Sequence, residues 1–263
     1  YFKGWELDLL QIAKHVADHQ KNGQEMDKIT LSHPDMNVEH AYEIQKLSMD
    51  QAINNGDRLI GWKMGLTSKA KQLSVGVEEA IYGRLTSSME LTEPTLHIGN
   101  LIHPRVEPEF AFILNKELKG DQITVRDVWM ATECIFPAIE VIDSRYRNFS
   151  FTLEDVVADN ASSSKFILGN QAFSPYFTSW DKVGVSMVRN GETVQSGVGA
   201  AVLDHPVKSI VELVKMLDRE GLSVKPGMVV LAGGITEAIN VYNGDVVEVH
   251  YDQLGTLKLN VEL

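Results

Sequence analysis

Two glutamates one residue apart stand in LIHPRVEPEFAFIL (101–114), and a third stands inside the apolar run IFPAIEVID (135–143). Side chains alternate faces along a strand. Val106, Pro108, Phe110, Phe112 and Leu114 therefore share one face, which reads as core. Glu107 and Glu109 share the other, about 7 Å apart along the strand. Two carboxylates on one face repel unless something positive lies between them. Pro108 cannot donate a ladder hydrogen bond, which predicts an edge or a bulge there. By itself the pair also fits a solvated strand face. Glu140 is costly to bury without a partner. Either it pairs with a buried cation such as Arg145 or Lys165, or it joins Glu107 and Glu109 in an all-oxygen ligand set. Such a set suits a hard divalent cation, Mg²⁺ or Mn²⁺ rather than Zn²⁺, and leaves coordination positions open for a chelating substrate.

The strand-like RLIGWKMGLTS (58–68) puts Gly61, Lys63 and Gly65 on one face. A lysine between glycines either has room beside it for a ligand or snorkels to the surface. In the first case it can clamp a carboxylate or donate a proton. VVADNASSSKFILG (156–169) packs Asp159, Asn160, Ser162, Ser163, Ser164 and Lys165 between two apolar runs, either as a turn with capping side chains or as a pocket lining. LAGGITEA (231–238) follows a strand but has no phosphate-binding glycine pattern; the amides of Gly233–Thr236 can approach an anion. The eight histidines show no metal spacing. His15 and His19 read as solvated, Cys134 as a small core residue at a helix end, and no serine-hydrolase elbow is present.

The elements that must position these groups change character along the chain. Leu9, Ile12, Ala13, Val16 and Ala17 recur at helix spacing with Gly23 as a stop, and a second helix is expected from Asn37 to Asn55-Gly56. From residue 59 strands dominate: 59–66, 105–114, 136–142, 164–168, a hairpin over 183–197 turning at Asn190-Gly191, then 228–232, 246–251 and 257–261. Short helices are expected over 67–75, from Thr124 to about Cys134, and from Pro206. Many strands with few helices between them predict an α+β fold. A mixed or antiparallel rolled β-sheet forms the catalytic domain (59–263), and a small N-terminal helical lobe (1–58) precedes it.

The chain of 263 residues carries 24 Lys+Arg against 36 Asp+Glu, a net charge of −12. That balance disfavours nucleic acid and anionic membrane surfaces. A local basic group beside a cation can still hold an anionic substrate. One cysteine excludes an internal disulfide and suits a reducing, cytoplasmic setting. No apolar run reaches the ~20 residues of a membrane span.

As an ordered set, GWKMGLTSKA (61–70), EPEFAFIL (107–114), PAIEVIDSRY (137–146), VVADNASSSKFILG (156–169) and the closing strands resemble the fumarylacetoacetate hydrolase superfamily. They look most like its hydratase/decarboxylase branch in catechol meta-cleavage pathways, over roughly residues 40–263. The resemblance implies Mg²⁺ or Mn²⁺ on Glu107, Glu109 and Glu140, with Lys63 as the active-site lysine. It places Ser162 and Ser163 as catalytic donors to the substrate, and Leu66, Asp159 and Thr236 around that substrate. The implied substrate is a small dicarboxylate 2-oxo acid, 2-oxohex-3-enedioate, losing CO₂ to give 2-hydroxypenta-2,4-dienoate. Hydratases of the branch usually carry an aspartate where this chain has Ile81 in Ile81-Tyr82-Gly83, and AGGITEA (232–238) and HYDQLG (250–255) look like the decarboxylating members. Hydration of the pentadienoate, hydrolysis of an acylpyruvate, or a silent metal-binding partner subunit are the alternatives. The resemblance also implies a homo-oligomer and a complex with the pathway hydratase.

Overall fold

The computed structural model describes residues 8–263. The N-terminal part is helical. α1 (Leu9–Asn22) starts on Asp8, whose carboxylate accepts from the Gln11 amide, and stops at Gly23 in the left-handed region. α2 (Ile29–Ser32) is one turn. α3 (Val38–Asn54) is closed by a capping box between Asn37 and His40. Ile12, Ala13 and Val16 of α1 and Ala41 and Ile44 of α3 are buried at helix spacing and join the main core.

Strands follow: β1 (Leu59–Gly65), then α4 (Lys69–Ser74), β2 (Ile81–Thr86), β3 (Thr95–His97) and β4 (Arg105–Leu114). Next come α5 (Val125–Ala131), β5 (Thr132–Ile142), α6 (Leu153–Ala158) and β6 (Ser163–Leu168). The chain ends with β7 (Gly184–Arg189), β8 (Glu192–Val198), α7 (Pro206–Arg219), β9 (Val229–Leu231), β10 (Ile239–Asn240), β11 (Val246–Tyr251) and β12 (Gly255–Glu262). A seven-stranded sheet runs β2-β1-β9-β4-β5-β6 with β10 on β4, and a five-stranded sheet runs β3-β12-β11-β7-β8. β1 and β9 are parallel while β4 and β5 are antiparallel, so the large sheet is mixed, as the strand pattern predicts. Phe110 packs edge-on against Trp180 and beside Tyr251 between the sheets, and the Tyr251 hydroxyl donates to the Ala138 carbonyl of β5. β7 and β8 turn at Asn190-Gly191, both at positive φ, as a tight hairpin requires.

Three local expectations change. The helix from Thr124 ends at Ala131, not near Cys134, because the β-branched Thr132 leaves helical geometry and its hydroxyl donates back to the Val128 carbonyl. β5 thus begins four residues before the expected strand start at 136, and Cys134 lies on it, half-buried, its thiol pushed up by burial and then by Glu133. Pro108 is not on an edge: β4 is central, flanked by β5 along its length. On its other side β9 covers only Ala111–Ile113 and β10 only Arg105–Val106. The missing N–H of Pro108 falls in the gap between them, where the 232–238 loop donates Ile235 N–H to the Pro108 carbonyl. Finally, the space left by Gly61 is used by β9 rather than by a ligand. A Cβ there would lie 1.9 Å from the Val229 carbonyl oxygen.

Candidate metal centre and cleft

Register builds the site. Glu107 on β4 sits opposite Glu140 on β5, and Glu109 opposite Ala138, so the three carboxylates share one face of two adjacent strands. They are 8%, 0% and 1% exposed, which rules out a solvated strand face. One oxygen from each lies within 4.8 Å of the others. Lys63 on β1, 2% exposed, reaches across to Glu140 Oε1 at 2.7 Å and donates to the Ala161 carbonyl at 2.8 Å. Glu140 therefore pairs with a lysine, but neither Lys165, which binds the Ser88 carbonyl, nor Arg145, which holds the Asp143 and Ser163 carbonyls. Lys63 does not snorkel.

Three buried carboxylates against one buried ammonium leave a charge of −3 + 1 = −2 on the cluster. Burial is the largest influence on Glu140, Glu109 and Lys63. It raises the Glu140 carboxyl to about 7 despite Lys63, and raises Glu109 well above its ordinary range with help from Glu140 and Glu107. Burial pulls Lys63 down, but Glu140, then Glu107 and Glu109, outweigh it, so its proton is held more tightly than usual. Glu109 Oε1 and Glu140 Oε2 are buried without a hydrogen-bond partner. Orphaned buried carboxylate oxygens facing one another are unfavourable unless a cation fills the space. The donor set, all oxygen and anionic, fits Mg²⁺ or Mn²⁺ on Glu107, Glu109 and Glu140.

A cleft of about 190 Å³ opens beside the cluster. Lys63 and Glu107 form its floor with Leu66, and Ile81, Ile142, Phe149, Phe151 and Val156 make an apolar wall. Among the described residues, six of the ten non-glycine residues at positive φ (Leu66, Asn148, Phe149, Asn160, Ala161, Ser162) belong to segments bordering it. Backbone strain of this kind persists where the surroundings over-determine it, commonly at ligand clamps. A larger hollow, about 500 Å³, lies at α1 near His15, His19 and Arg147. Every polar side chain lining it among the described residues is exposed or half-buried, and none of the three buried glutamates faces it, so the chemistry points to the smaller cleft.

Of the residues singled out in the sequence, Leu66 and Ser162 line the cleft, and the Ser162 hydroxyl makes no hydrogen bond among the described residues. Asp159, Ser163 and Thr236 do not line it. Each of the three is hydrogen-bonded within the protein instead. Asp159 is buried and accepts from the Gln20 side chain and the Arg145 amide, with Arg145 Nε at 3.6 Å. The Ser163 hydroxyl donates to the Asn160 carbonyl, and the Thr236 hydroxyl to the Glu237 carbonyl. Together Asp159 and Ser163 pin the strained 160–162 turn whose Ala161 carbonyl holds Lys63.

Sequence reasoning missed Lys71, Gly234 and Arg105. Lys71 on α4 approaches Glu107 Oε2 at 3.5 Å and donates to the Thr236 carbonyl at 3.2 Å. The Gly233 amide does meet an anion, but it is the protein's own Glu109, at 3.0 Å. Gly234 must lack a side chain, since a Cβ would sit 2.3 Å from Glu107 Oε2. Arg105, which shares the face of Glu107 and Glu109 by strand alternation, lines the cleft as well. That period-2 signal was available in the sequence, as were the anion-seeking amides of 233–236; the Lys71 contact was not.

The chain spans nearly the whole of several known proteins. It is 38% identical over 247 residues to 4-oxalocrotonate decarboxylase of Pseudomonas sp. (strain CF600), covering 94% of each chain. It is 33% identical to 2-keto-4-pentenoate hydratase of Paraburkholderia xenovorans (strain LB400), over 96% of this chain and 94% of that one. A solved structure, 4-oxalocrotonate decarboxylase from Pseudomonas putida G7 complexed with magnesium and adipate, superposes with a TM-score of 0.94 at 37% identity, covering 96% of this chain and 97% of that one. Residues 62–262 match the model of the fumarylacetoacetate (FAA) hydrolase C-terminal family. With the rolled mixed sheet and the carboxylate trio it carries, the chain belongs to the fumarylacetoacetate hydrolase family.

Proposed function

We propose that this protein is a Mg²⁺- or Mn²⁺-dependent carboxy-lyase that converts 2-oxohex-3-enedioate to 2-hydroxypenta-2,4-dienoate and CO₂. The observation that carries the reading is the buried trio of Glu107, Glu109 and Glu140, which reaches a cleft with an apolar wall through Glu107. The relatives named above support the choice of substrate. A bound divalent ion would supply Lewis acidity toward the C1 carboxylate and C2 ketone.

The chain's own groups do the rest. Lys63 uses one N–H on Glu140 and one on Ala161, leaving its third for a substrate oxygen. The C5–C6 bond breaks, its electron pair moves through C4 and C3 to the C2 oxygen, and CO₂ departs. A proton delivered to that oxygen from Lys63 Nζ completes the dienol. Ser162 offers a hydroxyl to the substrate from the cleft edge. Ile81, buried in the cleft wall, stands where an acid is expected for adding water, so the wall has no group there to activate one.

The test is direct. Purified protein with Mg²⁺ and 2-oxohex-3-enedioate is expected to release CO₂ and form the dienoate, and to lose both in EDTA. Hydration of 2-hydroxypenta-2,4-dienoate without CO₂ release identifies a hydratase instead. No turnover, with activation of an added hydratase, identifies a silent partner subunit.

A further inference from the structure

Three cations line the cleft, and two are committed. Lys63 is paired with Glu140, and Lys71 is shared between Glu107 and the Thr236 carbonyl. The third, Arg105, has no carboxylate within 4 Å among the described residues. Only its Nε is used, donating to Asn240 Oδ1 at 3.1 Å, and the two terminal nitrogens make no hydrogen bond among the described residues. The guanidinium is nonetheless fixed: its carbon stacks 3.7 Å from the ring centre of Phe149, which is itself held at φ 54°. A stacked, half-buried guanidinium with its fork unused is prepared for a planar anion.

Its position gives direction. Along the face of β4 the order is Arg105, Glu107, Glu109, and along β5 it is Ile142, Glu140, Ala138. A ligand whose oxo-acid end lies at the glutamates and whose carbon chain follows the strands meets Ile142 and then Arg105, about 7 Å beyond Glu107. The carbons C2 to C6 of a six-carbon 2-oxo acid span a comparable distance.

Building on the function proposed above, we infer that Arg105 is the specificity residue that binds the distal carboxylate and makes the cleft select 2-oxo diacids over 2-oxo monoacids. The contact serves binding rather than bond cleavage, because an arginine stabilises the carboxylate that must leave. Loss of the contact therefore raises KM and spares kcat.

The experiment compares binding of 2-oxoadipate and 2-oxohexanoate, equal in chain length, to the Mg²⁺-loaded protein by calorimetry, in wild type, Arg105→Met and Arg105→Lys. The wild type is expected to prefer the diacid by about 10- to 100-fold, the worth of one charge-assisted pair. Arg105→Met removes that preference by weakening the diacid alone, and Arg105→Lys restores part of it. An unchanged monoacid affinity shows that the cleft has kept its shape. A preference that survives in Arg105→Met, or a wild type with none, overturns the inference. Turnover separates the two readings. If wild type releases no CO₂ yet Arg105→Met abolishes diacid preference, the decarboxylase reading fails and the role of Arg105 stands. If CO₂ is released and Arg105→Met lowers kcat at unchanged KM, the role of Arg105 fails and the decarboxylase stands.

Discussion

Replacing Glu109 by glutamine is expected to stabilise the metal-free protein while removing its response to magnesium. Glu109 is fully buried, and burial, then Glu140 and Glu107, push its carboxyl well above the ordinary 4.5. Above that value the unfolded chain gives up its proton while the folded chain keeps it. This is the reverse of the usual carboxylate case, so stability falls as pH rises through the interval. Each pH unit of that interval costs about 1.4 kcal/mol. Glutamine carries none of this penalty, and its amide oxygen can still accept from the Gly233 N–H. For a chain of this size each kcal/mol of gain corresponds to about 2–4 °C in Tm, and the gain shrinks toward pH 5. Thermal melts in EDTA from pH 5 to pH 8, repeated with excess Mg²⁺, measure both effects. Magnesium should raise the wild-type Tm by mass action and leave Glu109→Gln nearly unmoved. A glutamine variant that melts below wild type in EDTA at pH 7, or a gain that does not shrink toward pH 5, refutes the reasoning.

Other perturbations follow from the same geometry. Glu140→Ala is expected to abolish Mg²⁺-dependent CO₂ release while circular dichroism stays native; retained activity counts against its role as a ligand. Lys63→Met should depress turnover far more than Mg²⁺ affinity, and should destabilise the metal-free protein by about 3–5 kcal/mol by stranding Glu140, both checked by kinetics and melts. Gly234→Ala places a Cβ against Glu107 Oε2 and Lys71 Nζ, and is expected to weaken Mg²⁺ binding about 10- to 100-fold by calorimetry.

Most of the scaffold was legible because its signals are local. Alternation along 105–114 placed Glu107 and Glu109 on one face, the Asn190-Gly191 pair marked its hairpin, and Pro206 opened α7. Glu140 stood out as a charge inside an apolar run. Illegible features depend on segments far apart in the chain. Asp159 looked like a pocket residue by composition, yet its partners are Gln20 and Arg145. Pro108 signalled a missing donor correctly, but only the sheet order shows that the vacancy is a gap between β9 and β10 instead of an edge. Lys71 reaches Glu107 from a helix whose sequence gives no hint of where it docks.

That interruption beside Pro108 bears on how such a protein can diverge. Inside a continuous ladder, one inserted residue reverses every following side chain. Between Ala232 and Ile239 the chain is tied to β4 through Ala232 N–H on the Phe110 carbonyl, Gly233 N–H on the Glu109 carboxylate and Ile235 N–H on the Pro108 carbonyl, with no bond to β4 from 236–238 among the described residues. Residues 236–238 can therefore lengthen or shorten with no change of register in the strands that carry the glutamates. Because Glu237 and Ala238 border the cleft, ligand preference can drift there while the grip on the ion is inherited intact.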